Sequence, residues 1–290
     1  FARDDLFTVV LDHFITDTAM YADIVLPATT QLEHWDVHLA YGHYYVSLNQ
    51  PSIAPVGESL PNSEIFRRLA ARMELTDPMF RDSDETMIRQ SLTSGHQHLE
   101  GITFERLLEH GWARLNLATP FAPYAQGAFA TPSGKCEFVS ERLEKLGFDP
   151  VPMYQPPRES RERNPALAAK FPLTLISPPE HEFLNSTFVN IDRLRKRAGA
   201  PRVKIHPDDA ALRGISDGLV VRCFNDRGGF EAAAVVTTDV KRGVVSAPSI
   251  WWGRYTGDGM NANETTSEAL TDMGRGATFY DNLVDVAPAD

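Results

Sequence analysis

The chain has only two cysteines among its 290 residues, Cys136 and Cys223. Two thiols fall short of the four cysteines of the common iron–sulfur clusters and of an all-cysteine zinc site, and neither kind of site is expected. Each stands in an alternating apolar context, Lys-Cys-Glu-Phe and Arg-Cys-Phe, where a small core residue on a strand is expected. Long apolar runs are missing too. None approaches the roughly 20 residues that cross a bilayer as a helix, so no membrane span is expected. Positive charge is scarce, with 28 Lys and Arg against 39 Asp and Glu and a net charge of −11. Nucleic-acid binding needs clustered basic residues and is excluded on that ground. The single basic run, Arg193-Leu194-Arg195-Lys196-Arg197, is short and fits a solvated helix face. The sequence starts without an initiator Met, and no signal peptide is expected in it. The chain opens on Phe1-Ala2-Arg3-Asp4-Asp5 and enters an apolar run almost at once. A buried parallel strand needs neighbours on both sides, so the expectation is a C-terminal piece of a longer protein, cut inside an α/β domain. The expected location is cytoplasmic, with the periplasm as the alternative.

What is present is enough for about two domains of roughly 150 residues each, with 42% hydrophobic content to fill their cores. The densest chemistry lies in Phe171 to Phe188, FPLTLISPPEHEFLNSTF. Leu173 to Ile176 is a short apolar run bounded by proline, which predicts a buried strand. Pro178 and Pro179 remove two backbone donors and stop the ladder. The loop beyond gathers Glu180, His181, Glu182, Asn185, Ser186 and Thr187, a donor and acceptor set suited to a polyfunctional small molecule. The alternative is an Asn/Ser-rich turn that satisfies its own backbone. A second polar series runs from Gly259 to Tyr280 and includes Asn261, Asn263, Thr265, Thr266, Asp272 and Thr278. A polar loop of that length inside a compact domain is usually functional or disordered. Its interspersed Leu270, Met273 and Phe279 predict that it packs.

Taken in order, Leu6 to Leu11 is continuously apolar, as buried parallel strands are, and Ala22 to Pro27 predicts a second strand. Asp12 stands at the end of the first. Ligands of open α/β sheets bind beyond the carboxyl ends of strands, where a carboxylate can accept the paired N–H groups of guanine. Alternatively, Asp12 caps the following turn. His34, His38 and His43 lie in an irregular segment whose Gly42 and aromatics argue against a helix that would align them, so no metal site is expected. A helix is predicted from a cap at Asn62 or Ser63, with Ile65, Phe66, Leu69, Ala70 and Met73 on one face. Further helices are predicted from Ser83 and Thr103, and a strand over Lys135 to Ser140. Prolines and charges from Asp149 to Pro165 predict a linker. Beyond it come short strands at Arg202 to Ile205, Val220 to Asn225, Phe230 to Val236 and Gly243 to Pro248, with a small helix over Pro207 to Gly214. That pattern predicts a compact β-barrel. A hydrolase built on Ser186 and His181 lacks a G-x-S-x-G elbow, and the two residues are too close in sequence. The expected class is α+β with a mainly β C-terminal part. Residues 1–60 are expected to be the incomplete end of an α/β domain, 61–165 a helical connecting region and linker, and 166–290 the barrel.

Several segments resemble the molybdopterin oxidoreductases, also called the dimethyl-sulfoxide-reductase family. ADIVLPATTQLEHWD, from Ala22 to Asp36, resembles the family's ADxxLPxxxxxE segment, and PVGESLPNSEIFRRLA its PxGEAxxDWxIxxxLA segment. KIHPDDAALRGISDGLVVRCFNDRGGF, from Lys204 to Phe230, resembles NPxDAxxRGIxxGDxVxVxNxRG, the most specific match. NANETT and GATFYD resemble the closing segments. The resemblance implies a double-psi β-barrel (aspartate-decarboxylase-like) from Phe171 onward. It also implies a molybdenum or tungsten ion held by two molybdopterin guanine dinucleotides, in a parent enzyme that performs two-electron or oxygen-atom transfer on a small substrate. By motif position, cofactor contacts are implied at Leu11 and Asp12, at His34 where many members have Lys, and at Asn62 where many have Asp. The pterin loop would be Ser177, Pro178, Pro179, His181, Asn185, Ser186 and Thr187, with Trp252, Asn263 and Tyr280 completing the set. The metal ligand and any iron–sulfur cluster would lie in an N-terminal region outside this chain, so no catalytic or metal-binding residue is expected here and the fragment alone is expected to be inactive. Implied partners are the rest of the parent chain and an electron-transfer subunit. Two departures stand out: Ser-Pro-Pro-Glu replaces the loop's common arginine, and Tyr280 replaces a common lysine. The alternative function is a non-catalytic barrel acting as an interaction subunit.

Overall fold

The computed structural model describes residues 1, 3–248 and 250–289. The chain divides into two compact units between Lys145 and Leu146. In the first, β1 (Val9–Asp12) and β2 (Ile24–Pro27) pair in parallel, Val9 opposite Ile24 and Asp12 opposite Pro27. The apolar run from Leu6 was expected to be a buried strand, but its regular part is shorter and open. Leu6, Phe7 and Val9 are 42%, 69% and 43% exposed. The physical reason is a sheet of two strands among the described residues, which leaves the outer edge of each strand without a neighbour.

The first unit's core lies elsewhere. β3 (Asp36–His38), β4 (Tyr45–Asn49) and β5 (Trp112–Arg114) form an antiparallel sheet with β4 central. Val46 and Leu48 on one face of β4 pack with residues of α2 (Asp84–Leu92) and α3 (Phe104–His110), notably Ile88, Leu92, Phe104 and Leu107. Both helices start where their hydroxyl caps predict: Ser83 Oγ accepts from the Thr86 amide at 3.1 Å, and Thr103 Oγ1 from the Arg106 amide at 3.2 Å. α1 (Asn62–Arg72) differs from expectation, because Pro61, not Asn62 or Ser63, occupies the cap. Proline fixes its φ at −54° while its ψ of 140° keeps it outside the helix, and no side chain caps the first turn. Of the apolar face expected for α1, only Ala70 is buried, while Phe66, Leu69 and Met73 stand at least half exposed. The strand expected over Lys135 to Ser140 is absent. Among the described residues no strand lies alongside to pair its backbone groups, and Cys136, expected in the core, is exposed beside an exposed Phe138. The short α4 (Glu141–Lys145) follows.

The second unit is built on a closed barrel. Its strands are β6 (Leu173–Ile176), β7 (Arg202–Ile205), β8 (Val220–Phe224), β9 (Gly229–Val236), β10 (Val244–Ser246) and β11 (Leu283–Pro288). Around the barrel the order is β10-β6-β11-β8-β9-β7, closing from β7 back to β10. β6 runs parallel to β10 and β7 parallel to β9, and every other neighbouring pair is antiparallel. Alternation places Leu173, Leu175, Val203, Ile205, Val221, Cys223, Val245 and Val284 inside. Cys223 is fully buried on β8, and its thiol pKa is pushed up by burial and by the nearby Asp285 carboxylate. Short helices decorate the barrel: α5 (Pro165–Lys170), α6 (Asp192–Ala198) and α7 (Pro207–Ala211). Arg193, Lys196 and Arg197 lie on the exposed side of α6.

The polar series near the C-terminus is held by polar contacts, not by the apolar residues expected to pack it. Leu270, Met273 and Phe279 are 45%, 61% and 50% exposed, whereas Thr265 and Asn282 are 0% and 1% exposed. Thr265 O accepts from Asn225 Nδ2 at 2.8 Å and from Arg227 Nε and Nη2 at 2.8 and 2.6 Å. Glu159 grips the same guanidinium with both oxygens, at 2.7 and 2.9 Å. A carbonyl buried among so many donors anchors the loop more strongly than scattered half-exposed side chains could.

Candidate functional site

The first unit holds a cleft of about 540 Å³. One wall comes from the loop after β2, with Thr29, Gln31 and His34, and another from Pro61, Asn62 and Ser63 at the start of α1. Asp84, Ile88 and Ser91 of α2 also face it. None of the lining residues is Lys or Arg, so the cleft offers amide, hydroxyl, imidazole and carboxylate groups but no permanent cation. His34 Nδ1 and Thr29 Oγ1 are 3.0 Å apart, and His13 Nε2 donates to Thr29 O at 2.9 Å. The structure therefore gathers His34 and Asn62, expected separately from the sequence, on one concavity. Leu11 sits half-buried on β1 opposite Leu26. Asp12 Oδ1 accepts from the amides of His13 at 2.7 Å and Phe14 at 3.4 Å, the turn-capping role weighed as its alternative. His34, His38 and His43 have separate neighbours: Thr29, Gln31 and the Tyr45 amide. Among the described residues no group of three or more His, Cys, Asp or Glu is placed to hold a metal ion.

Behind the cleft lies a residue to which the sequence reading gave no role. Glu33 is 5% exposed. Its Oε2 accepts from the Thr30 amide and its Oε1 from the Val56 amide, both at 2.6 Å, and Ser59 Oγ donates to Oε1 at 3.4 Å. Bonds from Thr30, Val56 and Ser59 hold its pKa down at about 2, against the opposing effect of desolvation. The spacing Thr30-x-x-Glu33 is a capping box that could have marked it. The contribution of α2 to the cleft had no such local signal.

In the second unit, the loop after β6 is exposed at its tip and fixed at its base. Leu184 and Thr187 exchange backbone bonds of 3.2 and 2.8 Å, which presents Asn185 and Ser186 between them. Asn185 takes a left-handed φ of 51°, one of the few non-glycine residues that tolerates it. His181, Asn185, Ser186 and Thr187 are exposed, Pro179 is exposed, and Ser177 and Pro178 are half-buried. The two acids of the loop are already engaged: Glu180 with Arg202 at 2.6 Å and Glu182 with Arg197 at 3.1 Å. Beneath lie Phe183, Val189, Trp251 and Trp252 in one buried cluster. Trp252, expected as a contact, is 6% exposed and donates from Nε1 to Ser186 O at 2.8 Å. It supports the loop from below. Asn263 and Tyr280 are exposed on the separate segment 259–282, with Tyr280 edge-on to Phe279 at 4.5 Å.

A mixed α+β chain with a closed six-stranded barrel, presenting neutral polar loops and a cation-free cleft, has the features of a small-molecule cofactor binder. The chain belongs to the molybdopterin oxidoreductases: residues 2–72 match the family model described as molybdopterin oxidoreductase, and residues 173–283 match the molydopterin dinucleotide binding domain. It is 41% identical over 285 residues to the probable oxidoreductase YoaE of Bacillus subtilis, covering 98% of this chain and 40% of that protein. It is 31% identical over 308 residues to dimethyl sulfoxide reductase DmsA of Escherichia coli, covering 96% and 37%. Among solved structures, acetylene hydratase from Pelobacter acetylenicus matches with a TM-score of 0.78 and 25% identity, over 98% of this chain and 40% of that one. The chain spans about 40% of the length of the curated relatives it matches.

Proposed function

We propose that this chain is the cofactor-binding C-terminal portion of a longer oxidoreductase, whose molybdenum or tungsten ion is held by two molybdopterin guanine dinucleotides. The observation that carries the reading is the loop after β6, with exposed neutral donors at its tip and a base locked by Trp252 and two ion pairs. Such a loop meets a fused heterocycle without reorganising. Ser177, Pro178, Pro179, His181, Asn185, Ser186 and Thr187 would form this contact surface, with Asn263 and Tyr280 on the polar segment 259–282.

In the first unit, His34 and Asn62 would hold another neutral portion, because the cleft has no Lys or Arg to receive a phosphate. Leu11 and Asp12 would receive guanine. Asp12 Oδ2 has no protein partner among the described bonds, which suits a carboxylate awaiting two N–H donors. The parallel pairs β6/β10 and β7/β9 in an otherwise antiparallel barrel support a double-psi topology for residues 166–290. Residues 1–60 would be the end of an α/β domain and 61–165 a connecting region.

When bound, the metal centre supplies two-electron or oxygen-atom transfer on a small substrate. The residues of this chain bind and orient the cofactor, and none is assigned a catalytic role. An electron-transfer subunit is the further partner proposed for the parent. The test is metal content together with released guanosine monophosphate, measured on the full-length protein. One Mo or W and two nucleotides per chain are expected. A folded parent with neither would leave the barrel as an interaction module.

A further inference from the structure

Among the described buried polar residues of the first unit, Glu33 alone carries a charge. A carboxylate taken from water is costly unless hydrogen bonds replace its hydration. Here two backbone amides do so, each donating to a different carboxylate oxygen at 2.6 Å. Glu33 does not line the cleft, but the segments it joins do. Thr30 sits between Thr29 and Gln31 on one wall, four residues before His34. Val56 and Ser59 lead through Leu60 to Pro61, Asn62 and Ser63 on the other. Leu60 closes the same junction, donating to Pro27 O and accepting from the Thr29 amide, each at 3.1 Å.

We infer that Glu33 is a positioning residue that sets the separation of the His34 and Asn62 walls, and so the shape of the cleft that receives a flat neutral heterocycle. The identity of that heterocycle rests on the cofactor reading above, but the positioning does not. A neutral amide at this position can still accept from one of the two amides, yet it cannot hold both with charge-assisted bonds. The walls are then free to separate.

The experiment uses the full-length protein, prepared free of cofactor, and its Glu33→Gln and Glu33→Ala variants. Backbone hydrogen exchange is followed together with the side-chain NMR signals of His34 and Asn62, and neopterin serves as the heterocyclic probe. Exchange at the Thr30 or Val56 amide should rise about tenfold or more, the His34 and Asn62 signals should shift, and neopterin binding should weaken. Protection at Leu48 and Leu107, in the core beside the cleft, should remain as in the parent chain. Unmoved His34 and Asn62 signals would overturn the inference, as would an equal loss of protection at Leu48 and Leu107, which marks a general stability effect. Should Glu33→Ala fail to fold, the isosteric Glu33→Gln carries the comparison. Absence of neopterin binding in the unmutated chain counts against the cofactor reading, while the exchange and NMR signals decide the role of Glu33 by themselves.

Discussion

At Trp252 the ring and its single N–H act on different things. The ring fills the cluster with Phe183 and Trp251, while Nε1 holds the Ser186 carbonyl. Trp252→Phe keeps most of the burial and removes the bond, so it should destabilise the second unit by about 1 kcal/mol. Trp252→Ala should cost about 3–5 kcal/mol through the cavity it leaves. Urea unfolding followed by circular dichroism distinguishes the two. Glu33 makes a pH prediction of definite sign. Its folded pKa, about 2, lies below the ordinary carboxylate value of 4.5, so its stabilisation is complete above pH 4.5 and disappears as the pH falls through 2. Glu33→Gln should flatten the acid limb of the stability curve over that range and leave the slope at higher pH unchanged. Asn185, Ser186 and Thr187 were legible as a polar cluster because their chemistry is carried by residue type. That Trp252 supports the loop from beneath could not be read, because it depends on which side of the ring the chain crosses.

Two short apolar runs, Leu6 to Leu11 and Leu173 to Ile176, look alike in sequence and end in opposite environments. β6 has a strand on each side and belongs to a closed barrel, whereas β1 has only β2 among the described residues. Local pattern reports what a segment can bury, and its neighbours decide what it does bury. The same contrast holds for side chains. Ile205 on β7 is 0% exposed and Phe66 on α1 is 58% exposed. Ile205→Ala should therefore cost about 2–5 kcal/mol, and Phe66→Ala should stay within about 0.5 kcal/mol in this chain. Gly253 makes a sharper case. A Cβ there would run into the Gly259 carbonyl, which is backbone and cannot swing aside. Gly253→Ala should lower stability by about 1–3 kcal/mol, seen as a fall in the melting temperature of the second unit. The hydroxyl caps at Ser83 and Thr103 were legible because a cap is a local bond; the missing strand at Lys135 to Ser140 was not, because a strand exists only by virtue of its partner.

At the scale of the whole chain, the barrel is the part that closes on itself. Its core side chains are almost wholly buried, while the first residues of the first unit expose Leu6, Phe7, Phe14 and Met20. Limited chymotrypsin digestion, which cleaves after large apolar side chains such as these, should therefore cut within residues 1–60 before it cuts within 171–286, as mass spectrometry of a time course would show. Early cleavage inside the barrel strands would reverse that ranking. The sequence made the barrel legible through its evenly spaced strands and turn residues. It could not show Glu159 reaching Arg227 across 68 residues, because no local pattern encodes the return of a distant segment.

The placement of the two cysteines has a practical consequence. Cys136 is open to solvent, and Cys223 is sealed inside the barrel with its thiol held protonated by burial. An alkylating reagent applied to the native chain meets a single reactive sulfur, which can carry a fluorophore or a spin label on the first unit without any mutation. The second sulfur becomes a clock. The rate at which it is modified times each excursion that opens the barrel, so one reagent and one mass spectrum report on both units at once.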